Sequence, residues 1–481
     1  MSLAAAMKHP KIFGPFFRGE SWARWHTMAK VVDGLPLTDA EREWLVERTG
    51  RTDVPPEIKE LWFVKGRRLG YSRFCSAVAV HRSTCVDYSK HLAAGEVGTF
   101  ALIASDKKQA RTLKRYVDGF VNATPHLEAM VVKRTTEAIE FSNQTCIEIH
   151  TCSYRSTRGY TLIGAACDEL AFWNQDGSNP DVDILAALRP GMSTIPSAIL
   201  LCGSTPYARR GALYQAWLDH FGKTGSTAPI LVIVADTRSL NSTVPQRVID
   251  SALAADEHAA RSEFLAEWRR DVVAWLSADQ LEPIILTGIT SLPPVSGRMY
   301  RGHLDAASGG GSDSLTAAIA YYDQEIDASV LAATIEIKPP FSPSTACESV
   351  AALFREYGIS RVTADRWGGE FVNEQMARFG VQVEPCAQSR SELYLSLAPL
   401  ITSQRVRLLD DRKGLIAQCL GLVRKTGRLH DVVDHMPNQH DDIINSAAGA
   451  LLAARSNQFQ AVDLSINASF WKQSTWREAR Y

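Results

Sequence analysis

The chain has 481 residues, of which 45% are hydrophobic and 22% charged, and its formal net charge is −1. That length exceeds one ordinary core and predicts two or three soluble globular domains. The near-neutral charge excludes a globally basic nucleic-acid binder, so any such contact must use local patches: Lys107–Arg115, Arg209 with Arg210, or Arg424, Lys425 and Arg428.

No apolar run is long enough to cross a bilayer. The apolar part of "MSLAAAMKHPKIFG" is too short for a secretory signal, which predicts residence in a reducing cytoplasm. The nine cysteines agree, being scattered, without a C-x-x-C pair, and read as small core residues.

In chain order, "ELWFVKG" reads as a strand that enters the turn "KGRRLGYSR", and "SRFCSAVAVHRSTCVDY" reads as the helix after it. "GTFALIAS" is a second strand, followed by the charged helix "DKKQARTLKRYVDGFV". "CIEIHTCS" alternates as a strand does, and "TLIGAACDELAFW", "AILLCGSTPY" and "PILVIVAD" are three more apolar strands. Short buried strands alternating with helices predict a parallel sheet covered on both faces. The expected boundaries are a first domain over 1–243, a helical linker over 244–296, a second α/β domain over 297–456 and a loosely held polar tail over 457–481. The second domain opens with strand, Gly-rich turn and strand in "MYRGHLDAASGGGSDSLTAAIAYYD", and its last helix begins at "QHDDIINSAAGALLAA".

Two constellations carry chemistry. The first starts at the turn, where a strand ends in glycines and opens a helix, so unsatisfied backbone N–H groups and the helix dipole favour phosphate. Gly66 and Gly70 let the backbone come close, Ser72 offers a hydroxyl to Mg2+, and Lys65, Arg67, Arg68 and Arg73 supply positive charge. Tyr71 stands where such loops carry lysine. Asp168 and Glu169 end another apolar strand, where adjacent carboxylates are costly unless they work. In an ATPase the first helps hold Mg2+ and the second orients water. Ser204 and Thr205 end a third strand, and strand C-termini are where α/β ligand sites form.

The second constellation is acidic. Asp305 ends "RGHLD", Asp365 ends "RVTAD", and Asp441 and Asp442 open a helix. Carboxylates on a hairpin strand, a later strand and a helix are the arrangement of RNase H-like nucleases, which bind two divalent ions. Each acid taken alone is also explained by a turn or an N-cap. Asp313 either helps position metal or only shapes the turn, while Asp434 and His435 read as structural.

The order of these motifs, from about Trp22 to Ala454, resembles the large terminase subunit of tailed bacteriophages, the motor that packs viral DNA into a capsid. The resemblance rests on "KGRRLGYSR", "YRSTRGYTLIGAACDELAFW", "LLCGSTPY", "SEFLAEWRRDV", "HLDAASGGGSDS", "TADRWGG" and "DHMPNQHDDIINSAAGAL". It implies an N-terminal P-loop ASCE-type ATPase and a C-terminal RNase H-like nuclease. It also implies a lambda-like deviant loop in which Lys65, at the first position, meets the phosphates. Arg68 matches a switch or finger arginine, Asp168 and Glu169 the Mg2+ carboxylate and catalytic glutamate, and Ser204 and Thr205 the coupling motif. Asp305, Asp365 and one of Asp441 or Asp442 match the nuclease triad. The resemblance implies that Trp22 or Trp25 stacks on adenine, with an exposed or core tryptophan as the alternative reading.

The implied cofactors are ATP and Mg2+, with Mn2+ an alternative in the nuclease. The implied partners are double-stranded DNA, a portal ring, a small terminase subunit and further copies of the chain in a ring, expected as a pentamer, in the cytoplasm of an infected host with no membrane. Two other readings stay open: a helicase-like translocase, or a degenerate prophage protein that binds DNA or capsid without catalysis.

Overall fold

A computed structural model describes residues 1–151, 159–173, 180–307, 313–365, 370–426, 431–436 and 439–455. The tail expected over 457–481 lies outside the described residues. The chain divides into two compact units at Asp271/Val272. Residues 244–296, expected as a linker of their own, are therefore shared between the two. The helical reading of that stretch holds for Gln246–Ala255 and Glu257–Leu265, breaks at Ala266, and resumes only in the short turns Ala278–Leu281 and Glu282–Ile284. Ala266 takes a left-handed conformation (φ 58°), which ends the helix, and "VVA" at Val272–Ala274 is a strand.

The first unit is built on strands β1 (Glu60–Lys65), β2 (Gly98–Ala104), β3 (Val131–Arg134), β4 (Ala138–Phe141), β5 (Thr145–Thr151), β6 (Thr161–Asp168), β7 (Ile199–Ser204) and β8 (Ile230–Ala235). They form one sheet in the order β3-β4-β5-β2-β6-β7-β1-β8. From β5 to β8 every neighbouring pair is parallel, and β4 and β3 add an antiparallel edge. Strand β7 lies between the loop strand β1 and the acidic strand β6, which is the ASCE arrangement.

The parallel strands β1, β2, β6, β7 and β8 are largely apolar because both faces are covered. Leu61 and Phe63 join one core cluster, while Trp62 and Val64 on the opposite face join another.

The second unit contains β9 (Val272–Ala274), β10 (Ile285–Leu286), β11 (Tyr300–Asp305), β12 (Leu315–Asp323), β13 (Ala328–Ile337), β14 (Arg361–Ala364), β15 (Gln382–Pro385), β16 (Val406–Leu409), β17 (Leu422–Lys425) and β18 (Val432–His435). Its main sheet runs β10-β16-β13-β12-β11-β14-β15, and β18-β17-β9 form a small second sheet. Strands β11, β12 and β13 are antiparallel neighbours, whereas β14 and β15 run parallel to β11. This is the RNase H-like order.

The helix over 442–455 is buried almost all round, with Asp442, Asn445 and Ser446 buried among its apolar residues. It approaches β11 through Gly449. A Cβ there would stand 2.2 Å from the His303 ring, so only glycine permits this closeness. Among the described residues no helix is long and apolar enough to cross a membrane.

Candidate functional sites

In the first unit, β1, β6 and β7 deliver their last residues to one point. Lys65 Nζ lies 2.7 Å from Glu169 Oε1 and 3.5 Å from Asp168 Oδ1. Ser72 Oγ donates to Asp168 Oδ2 at 2.7 Å. Ser204 Oγ donates to Glu169 Oε2 at 3.0 Å, and the Thr205 backbone N–H reaches the same oxygen at 3.3 Å. Glu169 can face this cluster because it sits at φ 53°, a left-handed residue at the strand's end. Such strained backbone is concentrated where geometry serves function.

The electrostatics are those of a buried charge cluster. Burial lowers the Lys65 ammonium, but the attraction of Glu169 and Asp168 outweighs it and the net shift is upward. Burial raises Asp168, and Lys65 only partly offsets that. Burial also raises Glu169, but there Lys65 and the Ser204 and Thr205 bonds win, and its carboxyl is held low. Asp168 and Glu169 share one cation, and Glu169 has the larger part of it.

The loop itself is braced from behind. Arg67 pairs with Glu263, and its backbone N–H donates to the Glu263 carbonyl at 2.6 Å. The Arg67 carbonyl accepts from Thr237 Oγ1 at 2.7 Å, and the Arg68 carbonyl accepts from Asn241 Nδ2 at 2.8 Å. Gly66 is packed against Thr237 and the Phe264 carbonyl, so its missing side chain makes room for protein. Arg68 is exposed at φ 117°.

The helix Tyr71–Cys85 starts from Gly70 with no side-chain cap, which leaves its first N–H groups aimed at the loop. Arg73 stacks on the rings of Trp22 and Phe17, 4.9 and 5.4 Å from their centroids, rather than on the loop. Glu263, Thr237 and Asn241 were not singled out from the sequence. Their role depends on a helix and a turn far along the chain folding back onto the loop.

Trp25 is not an adenine platform. It is fully buried, packs between Phe63 and Phe74, and donates its indole N–H to the Leu69 carbonyl at 2.7 Å. It supports the loop from the core side. Trp25→Ala is expected to cost about 3–5 kcal/mol of stability, read as a lowered denaturation midpoint.

The residues suit a Mg2+–nucleotide. The Ser72 hydroxyl and the Asp168 carboxylate are hard oxygen donors side by side, the kind of ligand Mg2+ takes. Lys65 and Ser72, the latter in the first turn of the uncapped helix, both reach Asp168.

In the second unit, Asp305 ends β11 and Asp365 follows β14. The pairing of Leu304 with Ala364 brings the two acids to neighbouring positions. Asp441 and Asp442 stand at the start of the 442–455 helix. Asp305 Oδ2 accepts from Asn445 Nδ2 at 2.8 Å. Burial first, then Asp442, Asp441 and Asp365, push the Asp305 carboxyl up to about 7 against the Asn445 bond.

The Asp441/Asp442 pair separates in role. Asp441 is buried with Arg390 Nη1 on one oxygen at 3.0 Å and the Tyr394 hydroxyl on the other at 2.8 Å. Asp442 takes the Ser314 backbone N–H, at 2.9 Å, on Oδ2, with His440 Nδ1 3.9 Å away. His440 Nδ1 is also 3.9 Å from exposed Asp313. Asp434 bonds Arg390 at 3.3 Å, and the His435 ring pairs with the Met436 carbonyl at 2.8 Å, both as structural contacts.

Among the described residues no three His, Cys, Asp or Glu side chains are spaced to hold one metal ion. The expected carboxylate triad thus shares a sheet end without forming a ready-made three-ligand cage. The reason is visible in the competing bonds: Asp441 is neutralised by Arg390, and Asp305 is tied to Asn445. One oxygen donor is nonetheless spare, because Asn445 Oδ1 is buried with no partner beside Asp305. The all-oxygen set suits a hard divalent cation. Asn445 follows Asp441 and Asp442 by four and three residues on one helix, a spacing that puts it on their face.

Of the basic patches, Lys107, Lys108, Arg111 and Arg115 are exposed on the helix Lys107–Asn122. Arg209 is exposed and Arg210 half-buried. Arg424 pairs with Asp431, and Arg428 lies outside the described residues.

The two strand orders are those of a P-loop ASCE-type fold followed by an RNase H-like fold. No protein-family model and no curated protein matches the chain. Among solved structures it is similar to the large terminase of bacteriophage HK97, with 14% identity, 87% of this chain and 95% of that one covered, and a TM-score of 0.37. The large terminase of a thermophilic bacteriophage matches at 10% identity, with 88% and 97% covered and a TM-score of 0.38. The large terminase nuclease of thermophilic phage G20c matches at 20% identity, over 34% of this chain and 92% of that one, with a TM-score of 0.29.

Proposed function

We propose that this chain is the motor subunit of a tailed-phage DNA-packaging terminase, hydrolysing ATP to translocate double-stranded DNA and cutting it with a divalent-metal nuclease. The observation that carries the reading is the meeting of Lys65, Ser72, Asp168, Glu169 and Ser204 at the ends of three adjacent strands, through contacts of 2.7–3.5 Å. Three motifs spread between Lys65 and Thr205 do not converge in this chemistry through loop geometry alone.

In this reading Lys65 neutralises the outer phosphates. Mg2+, when bound beside Ser72 and Asp168, supplies charge stabilisation to the phosphates. Glu169 positions the attacking water. Before nucleotide arrives, its carboxylate is held by Lys65. Phosphate competes for that ammonium and frees Glu169, so the base is available only when substrate is present. Ser204 and Thr205 feel the change first, because both contact Glu169. Arg68 is free to approach the phosphates from the exposed side of the loop.

Contact with DNA runs mainly to phosphates, as a motor moving over any sequence requires. The implied partners are a portal, a small subunit and a ring of copies in the host cytoplasm.

In the second unit Asp305, Asp365 and Asp442 would draw together to hold the cation, with Asn445 beside them, while Asp441 anchors Arg390. A bound divalent ion supplies Lewis-acid stabilisation to the scissile phosphodiester. Purified protein incubated with supercoiled plasmid and Mn2+ tests this. Cutting is expected for the wild type and is lost in Asp365→Asn, whereas ATPase activity persists in that variant. Plasmid left intact by the wild type under both Mg2+ and Mn2+ would defeat the nuclease assignment, and failure to hydrolyse ATP would defeat the motor.

A further inference from the structure

Tyr71, at the position where phosphate loops carry lysine, has contacts that no phosphate-binding residue would need. It is 3% exposed. Its hydroxyl donates to the Cys167 carbonyl at 3.0 Å, one residue before Asp168. Its ring meets Phe63 of β1 edge-on at 5.3 Å, and Lys65 Nζ lies 5.2 Å from the ring centroid. The same ring fills the space over Gly203 of β7, where an added Cβ would stand 2.5 Å from it. One side chain therefore touches the ends of β1, β6 and β7, the three strands that bring Lys65, Asp168–Glu169 and Ser204–Thr205 together.

We propose that Tyr71 is a positioning residue that sets the spacing of these three strand ends, and so of Lys65 against Glu169, without touching nucleotide. The inference rests on the ATPase reading above. It accounts for the position of the lysine. A ring wedged under β7 occupies the space through which a lysine on the helix would reach, so the cation comes from β1. The ring's face then gives the ammonium a favourable floor. The hydroxyl cannot serve a phosphate, because it is buried and already donates to the β6 backbone. Gly203 and Tyr71 form a matched pair, with no side chain on one because of the ring on the other.

Steady-state ATPase kinetics on the full chain test this. Tyr71→Phe keeps the ring and removes the anchor to Cys167. It is expected to lower kcat about tenfold with KM for MgATP within about twofold, since small misplacements of reacting groups cost up to about a hundredfold. Gly203→Ala, which drives the ring from its seat, is expected to lower kcat by more than about tenfold on the same ground. In a Tyr71→Leu background the same Gly203→Ala change is expected to cost nothing further, in kcat or in melting temperature, because the clash is gone.

Wild-type kcat in Tyr71→Phe overturns the proposal, as do strictly additive costs of the Gly203 and Tyr71 changes. A rise in KM at constant kcat would place Tyr71 on the substrate and overturn it too. Tyr71→Lys is expected to be inactive, and an active Tyr71→Lys would overturn the proposal by showing that the loop has room for its own lysine. A wild-type chain without ATPase activity overturns the underlying reading, an outcome distinct from an active wild type with an unaffected Tyr71→Phe.

Discussion

Lys65→Ala is expected to lower kcat for ATP hydrolysis by about 10²–10³-fold, the usual effect of removing a charge-stabilising donor from a water-poor site. It should destabilise the first unit as well. Lys65 is the buried cation facing two carboxylates, at 2.7 and 3.5 Å. Deleting it leaves Glu169 and Asp168 uncompensated, and breaking a buried pair by removing one partner costs about 3–5 kcal/mol. The two effects separate by pH. Glu169 is held below the ordinary carboxylate range, mainly by Lys65 acting against burial. Its contribution to stability is complete above about 4.3 and fades as pH falls through its folded value. The stability gap between wild type and Lys65→Ala should therefore narrow in acid, while the catalytic defect at neutral pH stays. Denaturant titration from acid to neutral pH, together with ATPase assays at neutral pH, reads both. A Lys65→Ala chain with wild-type turnover would return the phosphate contact to Arg67, Arg68 or Arg73.

How much of this was legible in the sequence depends on whether a residue's role is local. Asp168–Glu169 and Ser204–Thr205 were readable because each ends a strand buried along almost its whole length, where a polar pair stands out against the apolar residues before it. The parallel sheet followed from alternating strands and helices. The antiparallel edge of β3 and β4 did not, because both are only four residues long, "VVKR" mostly exposed and "AIEF" alternating, without a buried run to mark them.

Trp25 was misread because an aromatic residue near a loop looks alike in sequence whether it packs under the loop or faces a ligand. Only the approach of Phe63 and Phe74 decides. In the same way nothing local separates Asp441 from Asp442. Arg390 and Tyr394, far back in the chain, neutralise the first and leave the second. The helical reading of 244–296 ran too far because Ala266, with no glycine or proline to announce it, adopts the left-handed conformation that ends the helix.

Asp305→Asn is expected to raise the melting temperature of the second unit at pH ~8 in EDTA while ending plasmid cutting, because it removes a buried charge that the metal chemistry needs. The carboxyl is pushed up to about 7, chiefly by burial and then by Asp442, Asp441 and Asp365. Unfolded, it titrates near about 3.9. Between those values the folded state binds the proton and the unfolded state does not, so stability falls as pH rises from about 4 to about 7. Above about 7 the folded chain carries the buried charge in full. Asparagine keeps the shape, still accepts from Asn445 Nδ2, and removes the charge. The stabilisation by Asp305→Asn should therefore be small at pH ~4.5 and largest at pH ~8, as calorimetry at the two pH values would show. Adding Mn2+ at the higher pH should raise the wild-type midpoint, because a cation bound only by the folded state stabilises it by mass action, and should leave Asp305→Asn nearly unmoved. A variant less stable than the wild type at the higher pH, or one that still cuts plasmid, would mean that Asp305 is a structural carboxylate tied to Asn445 and not a member of a metal site. The combination expected here, more stable and inactive, is the mark of a group kept at a cost to the fold because the chemistry requires its charge.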